Sequence, residues 1–319
     1  MTSAEQVGVR ATEWMLESAG RFRRTTTVLP VPAAGEILVT TLVGAISPGT
    51  ERALLHGTCP AVPATAYPRQ PGSLNVVEIR EAPDRTLVGE RGIATLGHRD
   101  HALVPYHRFI RVAPGVSDEA ALLGVLAADA RHAVEVASVE PQTECLVVGG
   151  GILGVLTAWE LSVRTRGSVR IVEHDAARRE LLASIRFPGE VVIADETGRY
   201  QFPTVFECAG TASAFQLAQE CARPRGSVVV VADGSHEEYV LGAPFFAKGL
   251  ILGKTDSCPD LRGFLADWFS RHEDRSTLLE AAFRDDVRFA DFPQAYLEAL
   301  LAPSGTRKGL LPRVRYADA

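Results

Sequence analysis

Two groups of residues have the types and spacing to do chemistry. The first lies in "CLVVGGGILGVL", where Gly149, Gly151 and Gly154 follow the apolar run Cys145–Val148. With Ile152 and Leu153 between the second and third glycines, the spacing fits G-x-G-x-x-G. In that pattern the first glycine makes a tight turn and the second lets a pyrophosphate reach the backbone. The third lets a new helix pack closely on its sheet. The helix N-terminus presents free N–H groups to an anion. A second strand, Ser168–Val172, runs into Glu173, roughly 20 residues after the glycines, where a carboxylate holds ribose hydroxyls. A lone glycine motif is a weak signal, but strand, glycines, helix, strand and acid in that order is a strong one. The competing reading is a glycine-rich turn in an unrelated α/β domain.

Glu173 favours NAD over NADP, because a carboxylate repels a 2′-phosphate. Arg178 and Arg179 weaken that preference unless they only solvate a helix surface. Cys208, Ala209 and Gly210 end a later strand, and Asp233 and Gly234 end the next. Both places are at the carboxyl edge of a sheet, where a dinucleotide crosses. Gly253 and Lys254 either contact the cofactor or merely link domains.

The second group is Ser47, Thr50 and Glu51 in "AISPGTERALLHG", with His98 and His101 in "GHRDHALVPYHRF". A hydroxyl at Thr50 can donate to a substrate oxygen, and Ser47 supplies a second small donor. Glu51 is a base or a helix-capping acid that orders Arg52. His98 and His101 are imidazoles suited to proton transfer near neutral pH. Thr50 has a plainer reading as well, since "PGTE" suits a helix start. His56 and His132 read first as packing or hydrogen-bonding residues, and Tyr67 and Tyr106 as lesser donors.

The elements that must position these residues change character along the chain. Residues 1 to about 120 carry short Val/Ile/Thr runs broken by Pro and Gly, such as "GEILVTTLVGAIS" and "SLNVVEI", which predict an irregular β domain. Ser117 then caps a helix through "DEAALLGVLAADARHAVEVAS". From residue 145 strands and helices alternate, with "TVFECAG", "GSVVVVADG" and "GLILGKT" as strands and "TASAFQLAQECA" as a helix. Two helices and a short strand at "GLLPRVRY" finish the chain. The expected organisation is 1–120 as a β domain, 121–256 as the nucleotide domain and 257–319 as a closing segment.

Composition removes several function classes. Lys and Arg total 33 against 39 acidic residues, a net charge of −6, with no basic block for a nucleic acid. The five cysteines, Cys59, Cys145, Cys208, Cys221 and Cys258, are scattered without a C-x-x-C. That argues against disulfides and structural zinc and for a reducing compartment. With no membrane-length apolar run and no signal-peptide core, the expectation is a cytoplasmic protein without a membrane partner.

The whole chain resembles the medium-chain dehydrogenase/reductases. "GAISPGTERALLHG" is similar to their early active-site strand and helix, "VAPGVSDEAALLGVLAADARHAVEVASVEPQTECLVVGGG" to the lead into the cofactor fold, and "FADFPQAYLEALLAPSGTRKGLLPRV" to their ending. The resemblance is greatest to the branch of bacteriochlorophyllide dehydrogenase and threonine-dehydrogenase-like oxidoreductases, through S-x-G-T-E. It implies an α/β protein with a GroES-like catalytic domain, a doubly wound Rossmann domain, and a C-terminal segment returning to the first domain. It also implies a homodimer that extends its Rossmann sheets, for which the apolar "GLILGKT" edge is suited.

The chain departs from the zinc-dependent members. Ser47, Pro48 and Gly49 precede the Thr50–Glu51 pair where those enzymes place a cysteine ligand. Gly72–Ser73–Leu74 stands at their Gly-His-Glu, Gly124 in the region of the third ligand, and the four-cysteine lobe is missing. Catalytic zinc needs three protein ligands and an open position, so none is expected here. A site made from His98, His101 and His107 fits no familiar spacing.

Proton handling then falls to Thr50, in the family's relay position, with Glu51 or a histidine behind it. The resulting expectation is a zinc-independent, NAD-dependent oxidoreductase interconverting a secondary alcohol and a ketone. Its substrate would be a small cyclitol, sugar-like or polyketide alcohol of specialised metabolism. Two alternatives stay open: reduction of an activated C=C bond, as in quinone-reductase-like relatives, and NAD binding without net turnover.

Overall fold

The computed structural model describes residues 8–57, 67–195, 201–232, 237–255, 257–271, 273–301 and 307–316. Cys59, Asp233 and Gly234, singled out above, lie outside the described residues.

The chain opens with an antiparallel ribbon that sequence reading missed, β1 (Val9–Ser18) and β2 (Arg21–Leu29). Its second strand, "RFRRTTTVL", has no clean apolar alternation, so the tight Gly20 turn was its main signal. There follow β3 (Glu36–Ala45), α1 (Pro48–His56), β4 (Leu74–Glu81), β5 (Arg91–Ile93), β6 (His101–Pro105) and β7 (Ile110–Arg111). Helix α2 (Asp118–Val136) begins at Ser117, whose hydroxyl accepts from Ala120 N–H at 3.1 Å.

The next region alternates strand and helix: β8 (Cys145–Val148), α3 (Ile152–Arg164), β9 (Val169–Val172), α4 (Ala176–Ala183) and β10 (Val191–Ala194). After it come β11 (Phe202–Glu207), α5 (Ala212–Cys221), β12 (Ala222–Val230), α6 (Ala243–Lys248) and β13 (Ile251–Lys254). The chain then passes through α7 (Leu261–Ser270), α8 (Ser276–Ala282), β14 (Asp286–Arg288), α9 (Phe292–Leu301) and β15 (Arg313–Arg315).

The second half of these strands forms one parallel sheet of order β10-β9-β8-β11-β12-β13. Consecutive strands step outward one way from β8, then outward the other way from β11. The order therefore reverses between β8 and β11, the place where a doubly wound sheet leaves a crevice for a ligand. The other sheet runs β14-β15-β3-β4-β5-β7, with β6 also paired to β3. Strands β14 and β15 come from the far end of the chain, so the C-terminal segment completes the first domain, as the resemblance implied. A GroES-like β-rich domain and a separate Rossmann-like domain make up the molecule.

Helix α2 is buried on several sides and packs on β4, α3 and α7. Its Gly124 is the hinge of the α7 contact: a Cβ there would lie 2.8 Å from Leu265 and 2.9 Å from Trp268. The fully buried Trp268 indole donates to Ala120 O at 3.2 Å and stacks beneath the Arg275 guanidinium, 3.8 Å from the ring centre. Burial of an aromatic this size contributes about 3 kcal/mol. Trp268, Phe109 and Leu55 are core residues.

Candidate functional site

The cofactor crevice is built by the β8–α3 turn. Gly149 has φ of +102°, a left-handed conformation that favours glycine, and a Cβ there would meet Ala209 at 2.8 Å. A Cβ on Gly154 would sit 1.9 Å from Gly149 O, so only glycine lets α3 pack this close. Gly151, which starts α3, has no heavy atom within 4 Å of the place a Cβ would take. Two of the three motif glycines are filled by protein and the third faces open space at a helix N-terminus. That is the arrangement a pyrophosphate needs, and the residues present fit a dinucleotide.

Ile152 is buried at the start of α3, and Leu153, half-buried, packs against the same core. Glu173, just past β9, is 6% exposed. Its Oε2 accepts from Gly150 N–H at 3.0 Å and its Oε1 from Asp175 N–H at 2.9 Å. The acid therefore fixes the glycine loop from below. Asp175 caps α4 by accepting from Arg178 N–H at 2.8 Å, and the Arg178 side chain comes back to 4.0 Å from Glu173. Arg179 donates to the carbonyls of Glu173 and His174, both at 2.8 Å, so it braces the strand end.

Beyond α4 lie residues that sequence reasoning missed. Arg307, from the closing segment, is near Arg178 on α4 and Arg52 on α1. Burial, then repulsion from those two guanidiniums, pulls it down to about 10, against the pull of Asp285. One of its terminal nitrogens, Nη1, is buried without a hydrogen-bond partner. Arg52 is held by two hydrogen bonds to Leu300 O, at 3.1 and 2.9 Å. Three cations from three distant segments, one with an unpaired buried N–H, thus lie near one another. No spacing rule links positions 52, 178 and 307, which is why this cluster was not legible in the sequence.

At the carboxyl end of β11, Glu207 is fully buried. Its Oε1 accepts from the N–H groups of Ala209 and Gly210, both at 2.8 Å, and its Oε2 from the Tyr239 hydroxyl at 2.9 Å. Burial pushes its carboxyl up, opposed by those three hydrogen bonds. The neighbouring Cys208 thiol is buried, contacts the Thr157 hydroxyl, and is raised by burial and then by the Glu207 charge. It is an inert core thiol.

Around α1 the candidate residues separate. Gly49 and Thr50 are exposed on its first turn, whereas Ser47 and Glu51 are buried. Ser47 makes no side-chain cap, and Pro48 at the first helical position starts the helix instead. The last turn is held by side chains: Tyr67 donates to Leu55 O at 2.8 Å and Arg69 to Leu54 O at 3.2 Å.

Glu51 meets His98 inside the β domain, with Nε2 3.5 Å from Oε1 and neither side chain more than 3% exposed. Nδ1 of His98 is 3.0 Å from the Tyr316 hydroxyl, and Phe292 packs on the imidazole at 4.2 Å between ring centres. The ring lies over Gly72, where a Cβ would be 2.5 Å from it. Neither Glu51 oxygen has a hydrogen-bond partner. Glu51 and His98 thus come together, away from solvent. His101 is separate: it lies on β6, 29% exposed, with Nδ1 3.2 Å from Asp100. Among the described residues no group of three His, Cys, Asp or Glu side chains is arranged to hold a metal. No helix there is long and apolar enough to cross a membrane.

Comparison with known proteins agrees with this construction. No family model matches the chain. It is 30% identical over 226 residues to 2-desacetyl-2-hydroxyethyl bacteriochlorophyllide A dehydrogenase of Cereibacter sphaeroides, spanning 63% of this chain and 67% of that protein. In fold it is similar to 2R,3R-butanediol dehydrogenase from Bacillus subtilis, with a TM-score of 0.78 at 14% identity, over 96% of this chain and 99% of that one. It is also similar to acetophenone reductase from Geotrichum candidum in complex with NAD, with a TM-score of 0.77 at 15% identity, over 99% of each chain. With the two-domain architecture, the open glycine turn and Glu173 in place, and the zinc ligands absent from their positions, the chain belongs to the zinc-lacking branch of the medium-chain dehydrogenase/reductase superfamily, related to the bacteriochlorophyllide dehydrogenases.

Proposed function

We propose that the protein is an NAD-dependent, zinc-independent oxidoreductase that interconverts a secondary alcohol and a ketone. The observation that carries the reading is the open space over Gly151 at the α3 N-terminus, beside a buried Glu173 that holds the glycine loop. When bound, the cofactor exchanges a hydride with the carbinol carbon: alcohol and NAD+ give ketone, NADH and a proton. The chain's own residues bind, orient and move that proton. The amides at the start of α3 and the Arg52, Arg178 and Arg307 cluster hold the pyrophosphate. Glu173 accepts the ribose hydroxyls, which favours NAD over NADP. Gly149, Ile152, Leu153 and Gly154 shape the turn, and Ala209 and Gly210 form the floor of the nicotinamide half.

Thr50, exposed on the first turn of α1, is the group assigned to the substrate oxygen, donating to it in reduction and accepting from it in oxidation. Glu51 and His98 are buried behind it, so they act as positioning residues for α1. His101, half-exposed and oriented by Asp100, is the candidate for passing the proton to solvent. The twin exposed apolar side chains of the edge strand β13, Ile251 and Leu252, support a homodimer that pairs β13 with its copy. The buried free thiols at Cys145, Cys208 and Cys221 suit a cytoplasmic setting.

Gly151→Ala tests the cofactor site. The open space there predicts unchanged folding and a loss of NAD affinity of roughly 100-fold, read by titration; unchanged affinity would put the pyrophosphate elsewhere. Incubation with a deuterated reduced cofactor and a panel of ketones and enones then identifies the bond reduced. Deuterium at a carbinol carbon supports the alcohol reading. Deuterium at a former C=C carbon replaces it with the enoyl reductase reading.

A further inference from the structure

A buried carboxylate that the proposed chemistry does not use sits under the second half of the crevice. Glu207 is the last residue of β11, in register with Val148 of β8 and Val230 of β12. Its main chain ties the strand ends together, with Val231 N–H donating to its carbonyl at 2.8 Å. Its side chain is fully buried and holds the Ala209 and Gly210 amides and the Tyr239 hydroxyl. The Tyr239 ring is itself locked by stacking on Phe215, 4.6 Å between centres. Among the described residues no basic side chain forms an ion pair with Glu207. A purely structural tie for two amides and a hydroxyl does not require a charge, because a glutamine could make the same three contacts. The charge therefore invites a partner.

The sheet order says where that partner is. Glu173 at the end of β9 takes the adenosine side of the switch point, which leaves the carboxyl ends of β11 and β12 for the other half of a dinucleotide. The two cofactor states differ there by one charge: the oxidised nicotinamide is a pyridinium cation and the reduced one is neutral. The geometry points to Glu207 as a charge-setting residue, a fixed anion beneath the nicotinamide half that makes the protein bind NAD+ in preference to NADH. It rests on the cofactor reading above. It also gives the site a direction. Stabilising the oxidised cofactor tilts the bound equilibrium toward alcohol and NAD+, so the site is arranged for carbonyl reduction. The carboxylate is placed by backbone amides on a strand end, so it needs no movement when the charge appears.

The size of the effect follows from Coulomb's law. A buried unit charge within a Debye length, at an effective dielectric of about 20, changes a binding ratio by several-fold to roughly tenfold. The experiment is a pair of titrations, NAD+ and NADH, on the full chain and on Glu207→Gln. Glutamine keeps the shape, with its oxygen accepting the two amides and its nitrogen donating to the Tyr239 oxygen. The expected result is a fall of about tenfold in the preference for NAD+ over NADH. Equal changes in both affinities, or none, would reduce Glu207 to a structural tie and overturn the inference. Glu207→Asp keeps the charge while loosening the turn. Both affinities should weaken together with their ratio held, and a changed ratio would overturn the inference even if the glutamine variant does not fold. Unmodified protein that binds neither form would instead overturn the cofactor reading, and this inference with it.

Discussion

At the Rossmann turn, protein atoms crowd Gly149 and Gly154 but leave Gly151 open. At the corresponding glycines of the other half-site, Gly72 and Gly124, every approach is filled: His98 lies over the first, Leu265 and Trp268 over the second. Gly72 and Gly124 fall in stretches where zinc-dependent relatives carry ligands. Here those stretches are occupied by an imidazole facing a carboxylate and by a helix–helix contact. One region leaves open space at a helix N-terminus, and the other is packed as core. Gly72 and Gly124 serve packing against His98, Leu265 and Trp268, while Gly151 at the sheet edge stays open.

That contrast breaks most sharply at the buried pair. Removing one partner of a buried polar contact leaves the other unsatisfied and costs about 1–3 kcal/mol. His98→Leu should lower the urea midpoint accordingly, by removing the imidazole that faces the buried Glu51 carboxyl. The double variant Glu51→Met with His98→Leu should recover much of the loss. A single variant costing under about 1 kcal/mol would mean that the repacked half-site is not held by this pair.

Thr50→Val addresses the exposed first turn of α1. Loss of one donor to the reacting oxygen costs roughly 100-fold in turnover, and NAD affinity should stay near normal. Full activity would shift the proton step to His101, whose pH–rate profile would then change in His101→Ala. On the cofactor side the effect is smaller. Glu173→Ala should weaken NAD about tenfold, the worth of one charge-assisted hydrogen-bond pair, and leave NADP unaffected or improved beside Arg178. Equal NAD and NADP affinity in the unmodified protein would show that Glu173 serves only Gly150 and Asp175.

The same contrast sets what could be read from sequence. The cofactor site is a local motif: Gly149, Gly151, Gly154 and Glu173 are joined by one strand–helix–strand unit, and their spacing is fixed by backbone geometry. The repacked half-site is assembled from β-domain loops and the far C-terminus. Tyr316 and Phe292 reach His98 across more than half the chain, and nothing in the spacing of 51, 98 and 316 announces that contact. Arg307 was invisible for the same reason. The β1–β2 ribbon was missed because its exposed Arg and Thr residues carry no apolar period.

The smallest expected effect concerns Glu207 as a stability element. Burial raises its carboxyl above the ordinary value, with the Gly210, Tyr239 and Ala209 hydrogen bonds acting against that rise. A raised folded pKa means that the native state holds the proton more tightly than the unfolded chain does. The stability linked to that proton is therefore fully present below the ordinary carboxyl range and is lost as pH rises through the folded pKa. Glu207→Gln removes the titration and keeps the three contacts. Its thermal midpoint should exceed that of the unmodified protein by a few degrees at neutral pH, and the gap should close as the pH is lowered through the folded pKa. Melting curves across that range, without cofactor, measure it. A gap that stays constant with pH would mean that Glu207 does not titrate differently in the two states, and that its amide contacts already compensate for its burial.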